Sequence, residues 1–113
     1  MDDLPADLRI KAQIRIAAAQ GISMFIVQKG DPTSGTIYLK INKLDGTAEV
    51  LSQVRTEKGL CWMSATEGQG WPEKEADDYL AAQADFDPDL WIVEIEDKKG
   101  RHWFPEEILT SFL

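Results

Sequence analysis

The sequence predicts an α+β domain, with an antiparallel sheet of about five or six strands packed against two helices. The helices are expected over residues 5–20 and 72–85. Three observations carry this prediction. The stretch Phe86-Asp-Pro-Asp-Leu-Trp-Ile-Val-Glu-Ile-Glu-Asp97 reads as a helix end followed by a strand over Leu90–Ile95. The segment Thr36–Lys43 alternates and runs into Asp45-Gly46, a pair that accepts the positive φ angles of a hairpin turn. Ala17-Ala-Ala19 and Trp71-Pro-Glu-Lys-Glu75 supply helix-forming and helix-starting residues.

The central strand is the most informative element. Side chains alternate along a strand, so Trp91, Val93 and Ile95 share one face while Leu90, Ile92, Glu94 and Glu96 share the other. The first face is expected to be fully buried. The second starts apolar and ends charged, as in a strand that leaves the interior partway along. An interior position in an antiparallel sheet is therefore expected.

Along the chain, Pro5 suits a first helical turn and Gly21 a helix end. Leu8, Ile10, Ala12, Ile14 and Ile16 alternate with polar residues in a strand-like way, but the alanines and the length favour helix. Wound as a helix, the segment is apolar on two sides: Ile10, Ile14 and Ala17 on one, Leu8, Ala12, Ile16 and Ala19 on the other. The sheet would cover one side and a second copy of the chain the other. Ile22–Gln28 is rich in β-branched residues and stops at the turn formers of 29–35. Counting outward from Asp45-Gly46 sets Ile41 opposite Val50, Leu39 opposite Ser52, and Ile37 opposite Val54 on a core face. Lys40 then faces Leu51, Tyr38 faces Gln53 and Asn42 faces Glu49. A three-residue turn at Glu57-Lys58-Gly59 sets Trp62 opposite Val54, with Cys61 and Met63 on the other face. Ala76, Tyr79, Leu80, Gln83 and Ala84 form the inward stripe of the second helix. Asp97-Lys-Lys-Gly-Arg101 is expected to reverse the chain, setting Ile95 opposite Trp103 and Glu96 opposite His102. Pro105–Phe112 reads as a short closing helix.

With 113 residues, 43% hydrophobic and 28% charged, the chain fits one folded domain. The single cysteine, Cys61, cannot form an internal disulfide, and no apolar run is long enough to span a bilayer. The start of the sequence carries no apolar signal-like run, so a cytoplasmic location is expected. The net charge of −8 is uneven. Residues 67–97 hold eleven acidic residues against one lysine, whereas residues 1–66 hold seven acidic and eight basic. Phosphate backbones and anionic membranes repel such a surface, so no nucleic acid and no membrane is expected as a partner. The acidic region suits a basic partner instead, although solubility alone is the simpler explanation of it.

The candidate site residues are Asp87, Asp89, Glu94, Glu96 and His102. Glu94 and Glu96 would lie about 7 Å apart by strand rise, within glycosidase spacing, but any carboxylates two apart on a strand share that distance. His102 opposite Glu96 would make an acid–base pair or simply a cross-strand ion pair. Asp85, Asp87 and Asp89, with Glu96 at loop position twelve, echo an EF-hand. Leu90 stands where that loop requires glycine, so a true EF-hand is rejected. A looser hard-cation site is left to be weighed against three aspartates that cap a helix end. Residues 30–35 lack the lysine and spacing of a phosphate-cradling loop, and Gly68/Gly70 lack a dinucleotide context, so no cofactor is expected. One histidine and one cysteine, without a nucleophile-elbow motif, give little support to nucleophilic catalysis. Trp62, Trp71, Trp91 and Trp103 would line a pocket or, as is more common in a small domain, form the core.

Three pieces of the chain also stand together: Gly30-Asp-Pro32 with Ile37-Tyr-Leu-Lys-Ile-Asn-Lys-Leu-Asp-Gly-Thr47, Pro72-Glu-Lys-Glu-Ala-Asp-Asp-Tyr-Leu80, and Phe86–Asp97 with Gly100-Arg101. Together they resemble a family of small bacterial proteins known only as a domain of unknown function. The resemblance covers nearly the whole chain and implies an N-terminal helix. It implies no activity, cofactor or partner. The expected function is a non-catalytic cytoplasmic binding or interaction module, self-associating through the first helix or meeting a protein partner at the acidic edge Asp85–Asp97. The alternative is a small enzyme or divalent-metal-binding protein using that edge with His102.

Overall fold

In the computed structural model, which describes residues 4–109, the elements are α1 (Ala6–Ala19), β1 (Ser23–Gln28), β2 (Ile37–Asn42), β3 (Thr47–Thr56), β4 (Gly59–Ser64), β5 (Trp71–Pro72), α2 (Glu73–Phe86) and β6 (Trp91–Glu96). The α+β expectation holds: two helices and one six-stranded sheet. The strand order is β1-β6-β2-β3-β4, with the two-residue β5 added to β3.

β6 is interior, as its sequence requires, but it is not antiparallel on both sides. It pairs antiparallel with β1 and parallel with β2, Val93 standing beside both Ile26 and Leu39. The other pairings are antiparallel, so the sheet is mixed. The chain between β3 and β6, through β4, β5 and α2, crosses over and returns β6 in the direction of β2.

Both sheet faces are covered. Ile37, Leu39, Ile41, Leu51, Trp62, Trp91, Val93 and Ile95 form a core with Ile10 and Ala17 of α1. Ala48, Val50, Leu90 and Ile92 form a second core with Ala76 and Leu80 of α2. Each helix spends its apolar stripe on one face of the sheet.

Two hairpins are one residue out of the register that the sequence predicts. Leu39 pairs with Leu51, Lys40 with Val50 and Ile41 with Glu49. Three residues make the turn, with Lys43 N–H donating to Thr47 O at 3.1 Å. Asn42 Oδ1 accepts from Leu44 N, and Asp45 Oδ1 accepts from both Thr47 N and Thr47 Oγ1. These side-chain turns stabilise the longer loop. The slip moves Leu51 to the α1 core and Val50 to the α2 core.

The second hairpin errs the other way. Thr56 pairs with Gly59 across a two-residue turn, so Trp62 stands opposite Gln53 rather than Val54. Trp62 is nevertheless wholly buried, and Cys61 and Met63 occupy the opposite face.

The closing segment departs further. Both edges of β6 are taken by β1 and β2, so Trp103 and His102 cannot pair with Ile95 and Glu96. Instead Asp97 gathers the turn: its carboxylate accepts from Lys99 N, Arg101 Nε and Trp103 Nε1 at 2.7–2.9 Å. Residues 105–109 are not helical. They run beside β4, where Trp62 N donates to Glu107 O and Leu109 N donates to Trp62 O. The remainder of the expected closing helix, residues 110–112, lies outside the described residues.

Candidate functional site

The predicted site residues do not converge. Asp87 follows the C-terminus of α2, where its Oδ1 accepts from Asp89 N at 3.0 Å. Asp89 is exposed and offers its backbone oxygen to Asp31 N. Glu96 lies at the far end of β6, more than about 20 Å from Asp89 by strand rise. His102 is on the other side of the sheet, its ring tilted against Trp62 at 6.1 Å. It therefore forms no pair with Glu96, which shares the α2 face with Glu94. Burial pushes the His102 pKa down from 6.5, against an opposing pull from Glu106. Among the described residues, no group of three or more His, Cys, Asp or Glu side chains is placed to hold a metal ion.

Nor do the tryptophans form one pocket. Trp62 and Trp91 are central to the α1 core, and Trp103 packs at its margin. Trp71 sits on the α2 side, edge-on to Tyr79 at 5.4 Å. Cys61 is half-buried, with its Sγ 3.7 Å from Thr56 Oγ1.

One member of the predicted set does belong to a built cluster, around a residue that the sequence reading left aside. Lys40, on β2, is almost wholly buried beneath α2. Its Nζ lies 2.6 Å from Asp77 Oδ1, 2.7 Å from Glu73 Oε2 and 3.3 Å from Glu94 Oε1. Asn42 Nδ2 joins Glu73 to Glu94, donating to each at 3.3 and 3.2 Å. The placement follows from pleat and pitch. Lys40 and Asn42 are two apart on β2, Glu94 is the registered neighbour of Lys40 on β6, and Glu73 and Asp77 are one helical turn apart on α2.

Burial alone would lower the Lys40 pKa. The hydrogen bonds to Asp77 and Glu73, with the charge of Glu94, outweigh it and raise the pKa well above 10.5. Three carboxylates against one ammonium leave two excess negative charges where α2 meets the sheet.

Beside this cluster runs a groove of about 360 Å³ between α2 and β1. Val27, Leu80, Ala81 and Ile92 give it apolar walls, and Asp77 and Glu94 give it acidic ones. β1, at its rim, is an edge strand with Phe25, Ile26 and Val27 all exposed. Its pairing to β6 shifts between Ile26 and Gln28, a bulge that sets Val27 into the groove wall. The signal for this site was an unpaired lysine within an apolar strand, Ile37-Tyr-Leu-Lys-Ile, facing the most acidic helix of the chain.

The comparisons agree with one another. A family model described as "Protein of unknown function (DUF1491)" matches residues 4–105. The crystal structure of a DUF1491 family protein from Caulobacter crescentus CB15 is 33% identical, with a TM-score of 0.83, over 94% of this chain and 99% of that one. An NMR structure of a DUF1491 family protein from the same organism gives 33% identity and a TM-score of 0.80, over 95% and 97% of the two chains. Protein Atu0922 from A. tumefaciens shares the fold at 23% identity, with a TM-score of 0.71 over 83% of this chain and 86% of that one. A search of curated proteins gives no match. A family match over nearly the whole described chain, joined by two structures of the same family and the same architecture, places this chain in the DUF1491 family.

Proposed function

We propose that this chain is a bacterial, cytoplasmic protein-interaction module without catalytic activity, and that it receives an extended basic segment of a partner protein along β1 and the groove beside it. The observation that carries this reading is the Lys40 cluster. A single buried ammonium is outnumbered by Glu73, Asp77 and Glu94 at the side of an apolar groove next to an uncovered strand edge. An extended segment would pair its backbone with β1, place alternate apolar side chains against Phe25 and Val27, and direct a lysine or arginine toward Asp77 and Glu94. The acidic composition of α2 would steer a basic partner and repel nucleic acid.

The test is a fluorescence titration with two labelled peptides, one alternating lysine with valine and the other glutamate with valine. The lysine peptide is expected to bind, more weakly at high salt, and to shift the amide NMR signals of Val27, Gln28, Ala81 and Glu94. Equal binding of the two peptides, or shifts confined to other faces, would refute the reading. Self-association through α1 is a second reading, favoured by Leu8 and Ile16, which are 50% and 51% exposed on the helix side turned away from the sheet.

A further inference from the structure

Arg9 is the opposite case to Lys40. Its side chain is only 9% exposed, yet Nη2 has no hydrogen-bond partner among the described residues. The nearest carboxylate among the described residues is Glu106, whose Oε1 lies 3.4 Å away and is itself buried without a hydrogen bond. A guanidinium carries five N–H donors in a fixed fork, and a buried charge without well-formed hydrogen bonds is costly. Glu106 offsets the charge, but its contact with Arg9 Nη2 is not a formed hydrogen bond, and an added acceptor would complete the fork.

The space for one is adjacent. A cavity of about 230 Å³ is lined by Ala6 and Arg9 of α1, Ser34 and Gly35 of the loop before β2, and Gln53 and Arg55 of β3, among others. Leu51, Gln53 and Arg55 alternate onto the α1 face of β3, so Arg55 emerges on the same side of the sheet as Arg9. Arg55 makes no ion pair among the described residues. Gln53 is held by its carboxamide oxygen, which accepts from Ile37 N at 3.0 Å, leaving its amide nitrogen as the end available to a ligand.

Among the described residues no carboxylate lines this cavity, although the chain carries a net charge of −8. Asp31, in the same loop as Ser34 and Gly35, is turned into that loop: its Oδ2 accepts from Thr33 N, Ser34 N and Ser34 Oγ.

We propose that Arg9 and Arg55 form a binding site for a small oxyanion, either inorganic phosphate or the carboxylate of a small organic acid. Two guanidiniums suit either group, because their paired donors match two oxygens at once. The cavity is below the usual size of a site for a drug-sized ligand, which favours a compact anion over a nucleotide. The site is on the α1 face, away from the Lys40 groove, and stands whether or not that groove binds a peptide.

Amide proton–nitrogen NMR spectra, recorded at fixed ionic strength with chloride as the balancing anion, test this with sodium phosphate and sodium succinate in separate titrations. The expected result is a saturable shift of the Ser34, Gly35 and Arg55 amides with at least one of the two. Saturation by phosphate alone assigns a phosphate site, and saturation by succinate alone assigns a carboxylate site. Arg55→Gln, at an exposed position, is expected to keep the fold and weaken binding about tenfold or more, as loss of a charge-assisted hydrogen bond would. Two outcomes overturn the proposal: no saturable shift with either anion up to about 100 mM, a limit well beyond millimolar affinity, or unchanged affinity in Arg55→Gln.

Discussion

Lys40 Nζ lies 2.6 Å from Asp77 Oδ1, a contact that fastens the middle of β2 to the first turns of α2. Replacing Lys40 by methionine removes the ammonium and leaves three carboxylates facing one another. Glu73 and Asp77 are about half exposed and can turn to water, whereas Glu94 cannot. The expected destabilisation is therefore about 2–3 kcal/mol, below the range for a fully buried broken pair. Urea unfolding of the variant checks it, and a change under about 0.5 kcal/mol, the ordinary surface value, would count against the cluster.

Asp97 is the hub of the turn after β6. Burial would raise its pKa, but hydrogen bonds from Arg101, Lys99 N and Trp103 outweigh that and hold it below 3.8. A carboxylate depressed on folding contributes stability that is present above its unfolded value and lost as pH falls through the folded one. Asp97→Asn should cost about 2 kcal/mol near neutrality, the scale of hydrogen bonds to a charged group, and less below pH 3.8. Thermal melts of both proteins across that range measure the difference.

His102 gives the complementary acid response. Its folded pKa lies below 6.5 because burial disfavours the imidazolium, with Glu106 opposing. The unfolded chain then binds the proton more readily, so the protein loses stability on acidification through 6.5 and regains it above. Each unit of depression is worth about 1.4 kcal/mol. His102→Gln should flatten this part of the stability–pH curve, and a histidine NMR titration should show a midpoint below 6.5.

Gly35 is fixed by close approach rather than by φ. A Cβ there would overlap Asp89 O and lie 2.8 Å from Trp91 Cδ1. It would also press on the indole that donates to Asp31 O at 2.7 Å. Gly35→Ala is expected to cost about 1–3 kcal/mol, the usual toll of overpacking, and to shift the tryptophan fluorescence.

Leu8 and Ile16 carry the self-association reading. If α1 pairs with a second copy, sedimentation should show a dimer that Ile16→Lys converts to monomer without lowering the melting temperature of the isolated chain. A monomer at high concentration removes that reading.

Much of this architecture was legible where the local chemistry had one solution. Trp91, Val93 and Ile95 are buried together as the alternation of β6 requires, and both helices lie within two residues of their expected bounds. The two hairpin registers were not legible, and the reason is specific. Alternation fixes a register when one face is wet. In β3, Val50 and Leu51 are adjacent and both buried, because α1 and α2 cover opposite faces, so a one-residue slip satisfies the pattern equally well. The parallel β2–β6 pair escaped because it joins strands far apart in sequence. Of the expected site, only Glu94 entered a cluster, since Lys40 and Asp77 meet through the same long crossover.

The most direct test of this account is the titration of the Lys40 ammonium, followed by NMR of its Nζ protons. If Glu73, Asp77 and Glu94 surround it as described, those protons exchange slowly and the midpoint lies above 10.5. A rapidly exchanging amine that titrates at or below 10.5 would contradict the buried cluster and the acidic groove built on it.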